Sequence, residues 1–136
     1  MRLLYLFLLL ITFSAHAEEK LNCDTAYTTP DINRCAAIEK EAAEKVMEKY
    51  LAYSKKRYAD DRVVIESINK AQESWLLYRQ SHCGSVFDTW RDGTIRTVMS
   101  LNCSTQLTQQ RTYELWRAFL TYVDSTPPIL PEPDRE

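Results

Sequence analysis

Few side chains in this sequence could do chemistry, and the clearest of them are four cysteines at positions 23, 35, 83 and 103. An even number of cysteines with no C-x-x-C pair is typical of structural disulfides formed in an oxidising compartment. Metal binding is disfavoured, because His82 is the only histidine after residue 17. We therefore expect two disulfides, no metal site and no cofactor.

Glu39 and Arg79 are charged residues that fall on otherwise apolar helix faces. If the chain turns near residue 60, antiparallel helices place both at one level, where a carboxylate and a guanidinium can form a bidentate pair. Because an unpaired buried charge is costly, this internal ion pair is favoured over Arg79 acting as a binding or catalytic cation. The chain also lacks Ser-His-Asp spacing and nucleophile-elbow glycines, so we predict that it is not an enzyme.

Three long helices are predicted to position these residues. Only two glycines occur in 136 residues, which disfavours a β-sandwich or barrel with many tight turns. Thr29 is the predicted N-cap of the first helix, and Asp60 or Asp61 that of the second. The third helix would be ~43 Å long, long enough to accommodate a kink or break. The predicted helices run from Pro30 to about Arg57, from about Arg62 to Phe87, and from near Thr94 to about Tyr122.

The faces of these helices predict a core between them, which makes the fold an all-α antiparallel bundle. Trp75 on the second helix is predicted to be a core residue. Gln106 and Gln110 on the third helix are predicted partners of Gln72 or Arg79. The first helix carries a wide apolar stripe made of Ile32, Cys35, Ala36, Ala42, Ala43, Val46, Met47, Tyr50 and Tyr53.

Residues 1–17 have the pattern of a cleaved signal peptide. Arg2 precedes an apolar run from Leu3 to Phe13, and Ala15-His16-Ala17 is a small-x-small cleavage signal. The apolar run is shorter than the ~20 residues that span a bilayer, so no stable membrane insertion is expected after cleavage. The protein is therefore predicted to be periplasmic or secreted.

The chain that remains has the size of one domain, predicted over residues 18–124. It keeps 16 basic and 19 acidic residues, a net charge of −3, and no basic stripe that would suit a nucleic acid. Four prolines follow residue 126, and they cannot continue a helix. Residues 125–136 are therefore predicted to be a Pro-rich extended or disordered tail.

Several motifs taken together resemble a known family, the LprI-like lysozyme inhibitors, which are small exported bacterial proteins. The resemblance covers roughly residues 22–116 and implies that Glu39, Tyr50, Gln72, Trp75, Tyr78, Arg79, Arg111 and Leu115 form a structural family motif. The segments that carry it are Cys23, Asn33-Arg34-Cys35-Ala36-Ala37-Ile38-Glu39, Tyr50, Ala71-Gln72-x-x-Trp75-Leu76-x-Tyr78-Arg79-x-x-x-Cys83, Gly93, Cys103 and Arg111-x-x-x-Leu115.

One segment departs from that family's pattern. Where the family usually carries A-D-x-x-L-N-x-x-Y in its first helix, this chain has Ala42-Ala43, Val46-Met47 and Tyr50. The acidic and amide residues are therefore replaced by apolar ones, and a polar contact made there by relatives would be absent here.

The resemblance implies a protein-binding module that inhibits a lysozyme-type muramidase by occluding its cleft. Lysozymes are commonly cationic, and a mildly acidic binder would be attracted to them. The alternatives are an envelope or virulence-associated protein with a structural or scaffolding role, and a neutraliser of an exported toxin. The structural alternative has no enzyme target, whereas the leading function implies a protein partner, a lysozyme-type muramidase.

The pairing of the cysteines has two solutions at Cys83. Antiparallel helices that turn near Gly93 bring it beside Cys103, whereas helices that turn near residue 60 bring it beside Cys35. Cys23 favours the first solution, because it lies twelve residues before Cys35 and a small loop between them closes easily. We therefore predict the disulfides Cys23–Cys35 and Cys83–Cys103.

Overall fold

The computed structural model describes residues 21–134, so the predicted signal peptide lies outside the described residues. A short 3₁₀ turn at Cys23–Thr25 precedes three α-helices. We number these helices α1 (Thr29–Arg57), α2 (Arg62–Thr89) and α3 (Arg96–Leu115). A π-helical turn at Trp116–Leu120 extends α3, and the remaining described residues contain no further helix. The predicted all-α bundle of three helices is confirmed.

The starts of α1 and α2 show why these segments are helical. Thr28, one residue before the predicted cap, accepts a hydrogen bond from the backbone N–H of Asp31 through its side chain. Asp61 caps α2 in the same way, through Val64, as predicted. Each side chain satisfies a backbone donor that the first helical turn leaves without an intrahelical partner.

The third helix ends earlier than predicted. Its α-helical hydrogen bonding stops at Leu115, and the next five residues form a π-helical turn. Such a widened turn changes the direction in which the following side chains point. It places Leu120 in the core, where its side chain is fully buried.

The centre of the bundle is α3, which packs against both other helices, whereas α1 and α2 touch each other only briefly. Thr108 and Thr112 are buried on α3, although neither is apolar. Their hydroxyls donate to the carbonyl oxygens of Ser104 and Thr108, one turn earlier. A threonine satisfied in this way can be buried like a small apolar residue.

An apolar core cluster lies toward the end of the bundle where α1 finishes. It joins the helices to residues near the C-terminus, because Leu130 belongs to it and is only 9% exposed. Trp75, predicted to be a core residue, is partly buried and packs against the outside of this cluster. The buried members are Met47, Tyr50, Leu115, Leu120 and Leu130.

Two disulfides lie toward the opposite end of the bundle. They join Cys23 to Cys35 and Cys83 to Cys103, with Cα–Cα distances of 5.6 Å in both cases. The predicted connectivity is therefore confirmed. The first ties the N-terminal segment to α1, and the second ties α2 to α3, so neither joins α1 covalently to another helix.

Candidate functional site

Arg79 is held inside the bundle, but by a different carboxylate from the one predicted. Its Nη2 lies 2.9 Å from Oε1 of Glu44, and its Nη1 donates to the hydroxyl of Thr108 at 2.7 Å. The predicted pair with Glu39 is wrong. Glu39 is exposed, and the five residues that separate it from Glu44 rotate it by about 140° around the axis of α1.

The prediction of which residues of α1 and α2 lie at the same height along the bundle nonetheless agrees with one observed contact. Gln72 Nε2 lies 3.5 Å from Met47 Sδ, and these two positions are paired by a turn centred near residue 60. The prediction was wrong about which face of α1 is turned toward α2, because α1 packs mainly against α3.

Glu44 carries the electrostatic signature of this internal network. Lys40 Nζ binds its Oε2 at 2.9 Å, while Arg79 binds its Oε1. Partial burial raises the pKa of the Glu44 carboxyl, but the hydrogen bonds and positive charges of Lys40 and Arg79 outweigh it, and the net pKa lies below its ordinary value. Glu44 is therefore an ionised structural partner and not a proton donor.

Gln72 links α2 to α3 through Arg111. Its Oε1 accepts a hydrogen bond from Arg111 Nε at 3.1 Å, and Arg111 also binds Glu114. Gln106 and Gln110, the predicted partners of Gln72 or Arg79, are exposed. That prediction is wrong, because α3 turns Thr108 and Thr112 inward instead.

The other motif residues divide between the core and the surface. Tyr50 and Leu115 are buried in the core cluster, and Trp75 stands at its edge. The guanidinium of Arg79 lies 5.0 Å from the centre of the Trp75 ring. Tyr78 is exposed and stacks on His82 with 5.5 Å between ring centres. Gln72, Arg79 and Arg111 thus make polar links between helices, whereas Glu39 and Tyr78 lie on the surface.

A separate feature has the shape of a binding site: a groove of about 590 Å³ between α1, α3 and the C-terminal residues. We call it the α1–α3 groove. Its floor includes Ala42, Ala43 and Val46. All three lie in the segment that departs from the family pattern, and Ala43 is the apolar residue that replaces the usual acidic one. The other lining residues are Glu39, Tyr50, Thr105, Gln109, Thr112, Pro131, Glu132, Pro133 and Asp134.

The predicted apolar stripe of α1 explains why the groove is open. One part of the stripe is covered, including Met47 and Tyr50. Another part faces solvent, because Val46 is 45% exposed and Tyr53 is also exposed. Ile38, 55% exposed, lies on the same side of the helix as Val46, two turns away. α1 therefore presents apolar surface that its own bundle leaves uncovered.

The charged residues among those that line the groove are all acidic. Glu39 stands on α1, while Glu132 and Asp134 stand on the C-terminal segment across from it. None of the described residues that line the groove is Lys or Arg. An apolar floor with an acidic edge suits a partner surface that is apolar at its tip and basic around it.

Residues 21–134 contain neither a metal-binding cluster nor a membrane-spanning helix. No group of three or more His, Cys, Asp or Glu side chains there could hold a metal ion. No helix among these residues is long and apolar enough to cross a bilayer.

Comparison with known proteins gives a family and a relative. The model of the family described as lysozyme inhibitor LprI matches residues 22–115. The chain is also similar to an uncharacterized protein of Rhizobium meliloti (strain 1021), with 28% identity over 120 residues that cover 79% of this chain and 86% of that protein. No solved structure matches the chain.

Proposed function

We propose, from the premise that this chain belongs to the LprI family of lysozyme inhibitors, that it is an exported, non-catalytic protein that binds and inhibits a lysozyme-type muramidase. The matched region spans α1, α2 and α3, so the family assignment concerns the whole helical bundle. The two disulfides support a location outside the cytoplasm, either periplasmic or secreted.

The α1–α3 groove is the surface proposed to bind the enzyme, and its combination of apolar floor and acidic edge carries this assignment. Charge attraction toward a cationic muramidase raises the rate of encounter. The uncovered apolar surface of Val46 in the groove, and of Ile38 beside it on α1, then supplies area that is buried on binding. Charge attraction and apolar burial would therefore act on the same side of the molecule.

The shape of the groove determines how inhibition would work. A concave surface does not enter an enzyme cleft, but it can receive a raised edge beside that cleft. With 29 residues, α1 is ~43 Å long at 1.5 Å per residue. Once the groove holds the edge of the cleft, the length of α1 lies across its opening and excludes the polysaccharide.

The test is whether the purified chain, with residues 1–17 removed, slows the lysis of bacterial walls by muramidases. We expect near-stoichiometric inhibition of at least one cationic lysozyme. Failure to inhibit cationic lysozymes of the chicken, goose and invertebrate types at tenfold molar excess would contradict the proposal.

A pair of lysine substitutions then tests the surface. Val46→Lys places a positive charge on the groove floor, and we expect it to weaken inhibition at least tenfold. Leu77→Lys is the matched control, because Leu77 is 67% exposed on α2 and does not line the groove. Equal inhibition by both variants would move the contact surface away from the α1–α3 groove.

A further inference from the structure

The C-terminal residues are part of the bundle, although they lie beyond the region that matches the family. The backbone N–H of Ile129 donates to the carbonyl oxygen of Leu120 at 2.9 Å. The indole N–H of Trp116 donates to the carbonyl oxygen of Leu130, also at 2.9 Å, and the Leu130 side chain is buried in the core cluster. The chain therefore returns to the helices after its excursion through residues 121–128.

The last described residues are held against the groove by Tyr50. Its phenolic hydroxyl donates to the carbonyl oxygen of Pro131 at 2.8 Å. Pro133 is buried two residues later. Proline has a fixed φ and no backbone N–H, so this segment loses little conformational entropy on docking and leaves few donors unpaired. Residues 131–134 consequently form one wall of the α1–α3 groove.

This wall brings negative charge to the groove. Glu132 and Asp134 both line it, and they supply two of its three carboxylates. The negative charge of Asp134 also affects Tyr50, which lines the same groove. The pKa of the Tyr50 hydroxyl is raised above its ordinary value, mainly by burial and secondly by the charge of Asp134.

We infer that residues 131–134 are the selectivity element of this inhibitor, with Glu132 and Asp134 recognising basic side chains beside the cleft of a cationic muramidase and Tyr50 acting as the positioning residue. This inference rests on the function proposed above. It assigns the choice of partner to a segment outside the matched family region, whereas the helices supply the apolar contact common to any partner.

The experiment compares two double variants that change the net charge equally. Glu132→Gln with Asp134→Asn removes the carboxylates of the groove wall. Glu48→Gln with Glu73→Gln removes two exposed carboxylates that do not line the groove. Dissociation constants are measured for a cationic and a near-neutral lysozyme at low and at physiological salt concentration.

We expect the groove-wall variant to bind the cationic lysozyme at least fivefold more weakly at low salt, and the control variant to change binding less than twofold. Neither variant should alter binding to the near-neutral lysozyme. Equal losses in both double variants would show that only the net charge matters, and unchanged binding in the groove-wall variant would also overturn the inference. Binding by the unmodified chain, measured alongside, tests the proposed function separately.

Tyr50→Phe tests the positioning role without removing a charge. We expect weakened binding to the cationic lysozyme, a smaller dependence on salt, and little added effect from the two groove-wall substitutions. The amide order parameters of Glu132 and Asp134, measured by NMR on the free protein, should fall in Tyr50→Phe. If these amides remain as ordered as in the unmodified chain, Tyr50 does not position the segment.

Discussion

The two ends of the helical bundle are held together by different interactions. Where α1 begins and α2 finishes, the disulfides Cys23–Cys35 and Cys83–Cys103 make covalent links. At the opposite end the apolar cluster around Leu115 and Leu120 packs α1, α3 and the C-terminal segment together. We call these the disulfide end and the core end. The Glu44–Arg79 pair lies between them and joins α1 to α2.

This difference shows how a narrow bundle divides the task of stabilisation. Three helices enclose little volume, and the core end gains a fourth element because the C-terminal segment contributes Leu130. None of the buried members of the core cluster lies at the disulfide end. Small exported domains commonly add disulfides where apolar burial alone is insufficient.

The largest effect is expected from opening a cavity at the core end. Leu115 is fully buried, and Leu115→Ala should lower the free energy of unfolding by about 2–5 kcal/mol. Leu77→Ala, on the exposed face of α2, is the control and should stay within about 0.5 kcal/mol of the unmodified protein. Urea titration measures both. A small effect of Leu115→Ala would remove the contrast between the two ends.

The next effect concerns the disulfide end. Replacing Cys83 and Cys103 by Ala opens a loop of 20 residues, which in the chain-entropy model costs about 3 kcal/mol. The substitution should lower stability most strongly near the missing disulfide. Amide hydrogen exchange should therefore accelerate more around Cys83 than around Leu115. Uniform acceleration along all three helices would show that the two ends form one cooperative unit.

A smaller effect is expected from the ion pair between the ends. Arg79→Ala leaves the partly buried Glu44 without its partner and should cost about 1.5–3 kcal/mol. In a double-mutant cycle Arg79 should couple to Glu44→Gln and not to Glu39→Gln. Coupling to Glu39 instead would restore the pairing expected from the sequence.

The smallest effect is a dependence on pH. The pKa of Glu44 is lower in the folded state than its ordinary value of 4.5. Its contribution to stability is therefore present above about pH 4.5 and is lost as the pH falls through the lowered pKa. Thermal melts between pH 7 and pH 3 should show a shallower decline for Glu44→Gln than for the unmodified protein. Equal slopes would remove Glu44 as a source of acid sensitivity.

Tyr50 contributes a pH dependence of stability in the opposite direction, at high pH. Its pKa is raised above the ordinary value of 10.0, so the neutral hydroxyl is favoured in the folded state. That contribution is present below about pH 10 and is lost as the pH rises further. Tyr50→Phe should therefore reduce the alkaline loss of stability in thermal melts carried from pH 7 to above pH 10.

The sequence by itself determined the three helices and their order, and it favoured the cysteine pairing that the structure shows. These features depend on local signals: helix propensity, the Asp61 cap, the scarcity of glycine and the short connections that make neighbouring helices antiparallel. The level at which Met47 meets Gln72 followed from the same geometry. Each of these features follows from residue types and spacings along the chain and does not require knowledge of which helix faces pack together.

The tertiary structure alone decided which faces meet. Helical periodicity placed Glu39 and Val46 on an apolar stripe, but only the packing of α1 on α3 shows that both border an open groove. Likewise, four prolines indicate an extended segment and do not indicate where it docks. The position of Pro131 depends on a hydrogen bond from Tyr50, 81 residues away in the chain. Contacts over such separations depend on how complete surfaces fit together, and local sequence signals carry no information about that fit.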